Sequence, residues 1–144
     1  MKRALATVLV TLLTSACASI QPIPYSPQPS RIKDPVAETR TLILSNTVEG
    51  CIAEPDFSDA MLVVKFACTR QGVGNAVLRY DRVEGIELQQ YKEWFRVLVH
   101  QRGAEDFAWT SKSKSDMERL ADALTALTKP ADAKKHTPAG ATTL

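Results

Sequence analysis

The short motifs that mark common enzyme classes are absent from this sequence. It holds no GxSxG, HExxH, P-loop or CxxC pattern, and its only histidines are His100 and His136. A zinc site needs several ligands at suitable spacing, which His100 alone does not supply. We therefore predict a protein that is not an enzyme and that carries no cofactor or metal ion.

An excess of charge is also absent. The chain has 18 basic and 16 acidic residues, and removal of its first 16 residues takes away Lys2 and Arg3 and no acid. The remaining protein is formally neutral. Because a neutral chain implies no basic face for phosphates, nucleic acid is excluded as an expected partner.

The N-terminal apolar run is too short for a membrane-spanning helix, which needs roughly 20 residues. It extends from Ala4 to Leu13, ten residues, and follows Lys2 and Arg3. Two cations, a short apolar core and small residues after it are the parts of an export signal. We predict that residues 1–16 are a cleaved signal peptide.

The end of this signal, Leu13-Thr14-Ser15-Ala16-Cys17, resembles the lipobox of bacterial lipoproteins, with Thr14 standing where Leu is usual. The resemblance implies that Cys17 receives a diacylglycerol on its sulfur, becomes the mature N-terminus and is acylated again, with a palmitate-type chain, on its amine. Several acyl chains give stable anchoring where one does not. Since Ala18 follows instead of Asp, the resemblance implies the outer membrane, with the domain facing the periplasm. The alternative is an ordinary signal peptide followed by a chance cysteine.

The two remaining cysteines, Cys51 and Cys68, lie 17 residues apart. In an exported, oxidising setting a disulfide between them is the default expectation. Two buried free thiols are the alternative.

The rest of the chain divides into three segments that differ in proline content and apolar patterning. Residues 18–37 contain five of its eight prolines, which predicts a polyproline-like tether at 17–37, long enough to hold the domain up to ~60 Å from the bilayer. Residues 38–129 have the apolar patterning of one small domain. Residues 130–144 are small and polar without periodicity, which predicts a disordered tail.

The first half of the domain favours strands. Residues 39–48 are rich in Thr, Leu, Ile and Val, and residues 61–69 alternate with an apolar face at even positions. A turn centred on Val73 would place Cys68 opposite Leu78 and Phe66 opposite Tyr80. A further strand is expected at 83–88, kinked near Gly85.

The second half predicts another hairpin and a helix. With Gly103 at the centre of the turn, Val97 faces Trp109 and Val99 faces Phe107. A capping box at Ser115–Glu118 would begin the helix. An apolar stripe marks its buried side: Met117, Leu120, Ala121, Leu124, Leu127 and Thr128. Pro130 would end it.

The expected fold is α+β: a small antiparallel β-meander or partly closed barrel followed by one C-terminal amphipathic helix. This order of elements over residues 39–128 resembles pleckstrin-homology-like domains. The resemblance implies a curved antiparallel sheet plugged at one end by the helix. An ordinary sheet with a helix packed across it is the alternative.

Tyr91 and Trp94 are the candidate contact residues, since aromatic side chains between strands suit a partner. A fold-back of Trp94 over the sheet edge is the alternative. Our first hypothesis is a non-enzymatic, membrane-anchored envelope lipoprotein that contacts an envelope protein or a cell-wall component. The second is a small-molecule or lipid carrier with a cavity between the sheet and Leu120 and Leu124. The third, an envelope hydrolase, requires a catalytic partner for His100.

Overall fold

Two antiparallel sheets and two helices make up residues 19–128, the part of the chain that a computed structural model describes. The elements are β1 Gln21–Ile23, α1 Pro35–Ser45, β2 Cys51–Phe57, β3 Met61–Cys68, β4 Gly72–Arg79, β5 Val83–Tyr91, β6 Trp94–Gln101, β7 Phe107–Ser111 and α2 Lys114–Thr128. One sheet has the order β1-β5-β6-β7 and the other the order β2-β3-β4. The predicted α+β class with a C-terminal helix is confirmed, and these residues form no closed barrel.

The core lies between the inner faces of the two sheets and the helices. In α2, Met117, Leu120 and Leu124 are completely buried, and they join one cluster with strand residues such as Val64 and Val97. Full burial of each such side chain is worth about 1.5–3 kcal/mol relative to exposure. The predicted apolar stripe of α2 therefore supplies one side of the core.

The strand predicted at residues 39–48 is wrong, because this segment belongs mostly to helix α1. The Asp34 carboxylate accepts a hydrogen bond from the Ala37 amide, and Pro35 is the first helical residue. Both features favour a helix start. Leu42 and Ile43 are buried by α1, so capping and burial outweigh the β-branched composition.

The tether predicted over residues 17–37 is also wrong wherever the structure describes it. Strand β1 pairs antiparallel with β5, and Gln21 lies opposite Gln90. Proline is tolerated in β1 because β1 is an edge strand. Farther on, the Asp122 carboxylate of α2 accepts hydrogen bonds from the Tyr25 hydroxyl and the Gln28 amide. The folded domain therefore begins before residue 38. The predicted signal peptide, Cys17 and the tail at 130–144 lie outside the described residues.

The β6–β7 hairpin has the predicted register. Val97 pairs with Trp109 and Val99 with Phe107. The predicted kink near Gly85 is present as a register shift between Val83 and Gly85.

The register predicted for the β3–β4 hairpin is wrong. Cys68 pairs with Gly72 and Phe66 with Gly74, instead of with Leu78 and Tyr80. Gly74 lies within the strand, and a Cβ built on it would come 2.5 Å from the Phe66 ring. Glycine is thus required there by packing, while Gly72, with φ +80°, follows the turn.

The start of α2 differs from the predicted capping box. The Ser113 hydroxyl, not that of Ser115, accepts a hydrogen bond from the Asp116 amide at 3.2 Å. Ser113 also accepts from the Met117 amide through its backbone carbonyl. Ser113 is therefore the N-cap residue, two positions before the predicted one.

Replacing Ser113 by alanine should lower the free energy of unfolding by about 1 kcal/mol, because an N-cap hydrogen bond is lost. Urea unfolding followed by circular dichroism measures the change. Ser115→Ala is the matched control and should be nearly neutral. A larger loss for Ser115→Ala than for Ser113→Ala would contradict this assignment.

A buried glutamine side chain joins the two sheets. Gln101 at the end of β6 is only 7% exposed. Its amide oxygen accepts from the Arg79 backbone amide at 2.7 Å, and its amide nitrogen donates to the Val77 carbonyl at 2.9 Å. These two bonds substitute for backbone pairing and hold the end of β4 against β6.

Candidate functional site

The predicted disulfide is present. Cys51 and Cys68 are bonded and occupy directly paired positions in β2 and β3. Next to them, the Thr69 amide and hydroxyl both donate to the Gly50 carbonyl. The bond therefore braces the end of the three-stranded sheet at which the β3–β4 turn begins.

Tyr91 and Trp94 come together on the outer face of the four-stranded sheet. They are directly paired at the end of the β5–β6 hairpin, not on a loop between separate strands. We call Tyr91 and Trp94, together with their aliphatic neighbour Ile20, the aromatic rim. They border a groove of about 240 Å³. The remaining groove residues are Gln89, Gln90, Arg96 and Thr110.

Basic side chains surround the aromatic rim. The Lys92 ammonium lies 5.4 Å from the centre of the Tyr91 ring, and the Lys112 ammonium lies 5.1 Å from that of Trp94. Lys112 also pairs with Glu93 at 3.1 Å. Cation–π contacts of this kind favour a fixed ring orientation even at exposed sites. The rim is thus an ordered surface with an amphipathic character.

Farther along the same face, His100 lies between two carboxylates. One ring nitrogen is 2.9 Å from Glu87 Oε2 and the other is 3.0 Å from Asp106 Oδ2. The hydrogen bonds to Glu87 and then Asp106 raise the pKa of His100. In return, the hydrogen bond to His100 lowers the pKa of Glu87. The pKa of Asp106 is also lowered, mainly by the hydrogen bond from the Gln101 backbone amide.

In this arrangement both ring nitrogens of His100 face carboxylates, and neither is hydrogen-bonded to a nucleophilic side chain. A general-base histidine needs one ring nitrogen free to take a proton from a nucleophile, but both nitrogens of His100 are occupied by carboxylates. Glu87 is in turn held by Gln89, which accepts from Arg96. The His100 cluster is therefore a surface network of alternating charge. Among the described residues, no cluster of three or more His, Cys, Asp or Glu is placed to hold a metal ion.

The ring of His100 should titrate above its ordinary pKa of 6.5. Its contribution to stability is then fully present below about pH 6.5 and is lost as the pH rises through the folded pKa. The two carboxylates act in the opposite direction, since their lowered pKa values add stability that is lost on acidification. NMR titration of the imidazole protons measures the midpoint. Glu87→Gln should lower it, and a wild-type midpoint at or below 6.5 would contradict the cluster.

Sequence reasoning missed a second exposed surface, on the outer face of the three-stranded sheet. Ile52, Ala67 and Val73 are directly paired across β2, β3 and β4. Ile52 is 68% exposed and Val73 is 86% exposed. We call these three residues the apolar row. One signal was available: β3 has apolar residues on both faces except at Lys65, and such a strand is typical of a sheet covered on both sides.

The cavity required by the carrier hypothesis is filled at its predicted position. Leu120 and Leu124 are completely buried and pack in the same cluster as strand residues Leu88, Val97 and Val99. These leucines therefore pack in one core cluster with the strands.

Comparisons with known proteins find no relative of this chain: no family model matches it, and neither the curated proteins nor the solved structures give a match. The resemblances to the lipobox and to pleckstrin-homology-like domains stay predictions. No helix among residues 19–128 is long and apolar enough to cross a membrane.

Proposed function

We propose that this chain is a non-enzymatic lipoprotein of the cell envelope, anchored through Cys17 to the outer membrane, that binds another envelope protein through the apolar row. The signal-like N-terminus and the lipobox resemblance support the anchor. The Cys51–Cys68 disulfide fits an oxidising compartment. The occupied nitrogens of His100 fit a role other than catalysis.

The observation that carries the binding role is the exposure of the apolar row. Ile52 in β2 and Val73 in β4 present apolar side chains to solvent on either side of Ala67 in β3. Burial of such a side chain contributes about 1.5–3 kcal/mol, so a partner that covers both gains substantial free energy. Exposed apolar patches are places where partners bind, which supports this role for the row.

The edge strand beside the row indicates how a partner binds. In the described part of the chain, no strand pairs with the outer side of β4. Charged residues and proline usually protect an exposed edge strand. The first residues of β4, Gly72-Val73-Gly74-Asn75, include neither. We infer that an extended segment of the partner adds to β4, with main-chain hydrogen bonds along the edge and side-chain contacts to the row.

Site-specific photo-crosslinking in living cells tests the proposal. A photoreactive residue at Val73 should give one defined protein adduct, whereas the same residue at exposed Glu84 should not. Ile52→Lys should abolish the Val73 adduct while circular dichroism shows an intact fold. An adduct with twice the mass of the chain would identify a second copy as the occupant instead. No adduct at Val73 would overturn the binding role.

The anchor is tested separately with Cys17→Ser. Wild type should incorporate labelled palmitate and sediment with membranes, and Cys17→Ser should do neither. An unchanged membrane fraction in the variant would rule out lipid attachment at Cys17.

A further inference from the structure

We propose that the aromatic rim rests on the lipid headgroups of the membrane that holds Cys17, so that the domain lies against the bilayer instead of standing away from it. This inference rests on the lipid attachment in the proposed function. It assigns Tyr91 and Trp94, the predicted contact residues, to the membrane and leaves the apolar row for the protein partner.

The first argument is the length of chain between the anchor and the fold. Cys17 precedes Gln21 by four residues, and four fully extended residues span at most about 14 Å. Gln21 is fixed opposite Gln90, one residue before Tyr91. A lipid on Cys17 therefore brings the bilayer surface close to the end of the β5–β6 hairpin, whatever path the intervening residues take.

The second argument is the chemistry of the surface at that end. Ile20 is 47% exposed and Tyr91 is 42% exposed, and Trp94 borders the same groove. Tyrosine and tryptophan favour the membrane interface because each joins an apolar ring to a polar group. Ile20 adds an aliphatic side chain that can enter the boundary with the acyl chains.

The third argument is charge. Lys92, Arg96 and Lys112 surround the rim, against the carboxylates of Glu93 and of Glu87, which lies behind Gln89. These residues carry a local charge of about +1, although the chain without its signal is formally neutral. Lysine can extend its ammonium toward phosphates while its methylene groups cover apolar surface. The rim therefore complements an anionic headgroup layer.

The short connection also explains why a modest surface is sufficient. Once the lipid is inserted, contact between the rim and the bilayer is an intramolecular event at high effective concentration. We expect the rim alone to bind membranes weakly and the anchored rim to stay in contact. A protein partner at the rim would instead have to fit into the narrow space beside the anchor.

Tryptophan quenching by brominated phospholipids tests the inference. The acylated full chain, purified from envelopes, is reconstituted into vesicles of phosphatidylethanolamine and phosphatidylglycerol. The chain has two tryptophans, and Trp109 packs against Phe107 on the inner side of the sheet. Bromination should lower the emission by about a third through contact of Trp94 with the bilayer. Trp94→Phe should remove most of that quenching.

Matched variants define the surface. Tyr91→Ser and Lys92→Glu should each reduce the quenching at least twofold, whereas Leu44→Ser, at an exposed apolar residue of α1, should not change it. Unquenched Trp94 in protein that floats with the vesicles would overturn the inference and leave the anchor intact. Protein that does not associate with vesicles at all would instead count against the proposed function. A photoreactive residue at Tyr91 that captures a protein in cells would also overturn membrane contact.

Discussion

Replacing Asp122 by alanine should lower the free energy of unfolding by about 3 kcal/mol, because two hydrogen bonds to a buried carboxylate are lost. Asp122 is only 3% exposed. It accepts from the Tyr25 hydroxyl and the Gln28 amide, each at 2.6 Å. Burial, together with the carboxylate, raises the pKa of Tyr25, so this hydroxyl remains a donor well into the alkaline range. Without Asp122 both donors would lose their acceptor.

The same variant should release the segment before α1. Limited proteolysis should cut Asp122→Ala within residues 24–34 faster than wild type, and urea unfolding gives the stability. Asp122→Asn keeps an acceptor oxygen and should therefore lose less stability than Asp122→Ala. Tyr25→Phe removes one of the two bonds and should fall between wild type and Asp122→Ala. A change within about 0.5 kcal/mol for Asp122→Ala, the range of ordinary surface substitutions, would contradict the role assigned to it.

Removal of the disulfide should lower the free energy of unfolding by a similar amount. The double variant Cys51→Ser, Cys68→Ser should lose about 3 kcal/mol, because the bond no longer restricts the unfolded chain across its 17-residue loop. The folded state loses little, since β2 and β3 remain paired over their whole length. The loss should therefore appear mainly as easier unfolding without a change of fold.

Urea unfolding with and without a reducing agent measures this effect. Reductant should destabilise wild type and leave the double variant unchanged, so the variant is the control for other effects of the reductant. Equal stability of wild type with and without reductant, under conditions in which mass analysis shows free thiols, would contradict the prediction.

The hairpin predictions show where sequence patterns are sufficient. In β6–β7, Phe107 and Trp109 alternate around a turn in step with Val97 and Val99, so only one register places all four on the inner face. In β3–β4, two nearby glycines both suit a turn. Gly74 is instead a strand residue because the Phe66 ring occupies the space of its missing side chain. That contact depends on packing across strands and is not visible in a local window.

The wrong predictions for the N-terminal region have a different cause. The helix signals Asp34 and Pro35 were present, but the β-branched residues after them favour a strand. Burial of Leu42 and Ile43 in the core favours the helix. For the proline-rich segment, the decisive partner was Asp122, 97 residues from Tyr25. In the sequence it is only one more polar residue beside the apolar stripe of a helix.

The candidate surfaces were partly predictable. The proximity of Tyr91 and Trp94 follows from their spacing, but their place beside Ile20 requires the unexpected strand β1. The carboxylates at His100 could not be placed, because Glu87 reaches it only through the β5–β6 pairing. The apolar row required the true register of β3 and β4.

The bonds between the segment after β1 and Asp122 also constrain the order in which the protein can be completed. A chain that is exported from its N-terminus, as the proposed function requires, emerges with Tyr25 and Gln28 more than 90 residues before Asp122. Until helix α2 has crossed the membrane, these two residues have no final partner. Docking of the segment would thus be among the last steps of maturation.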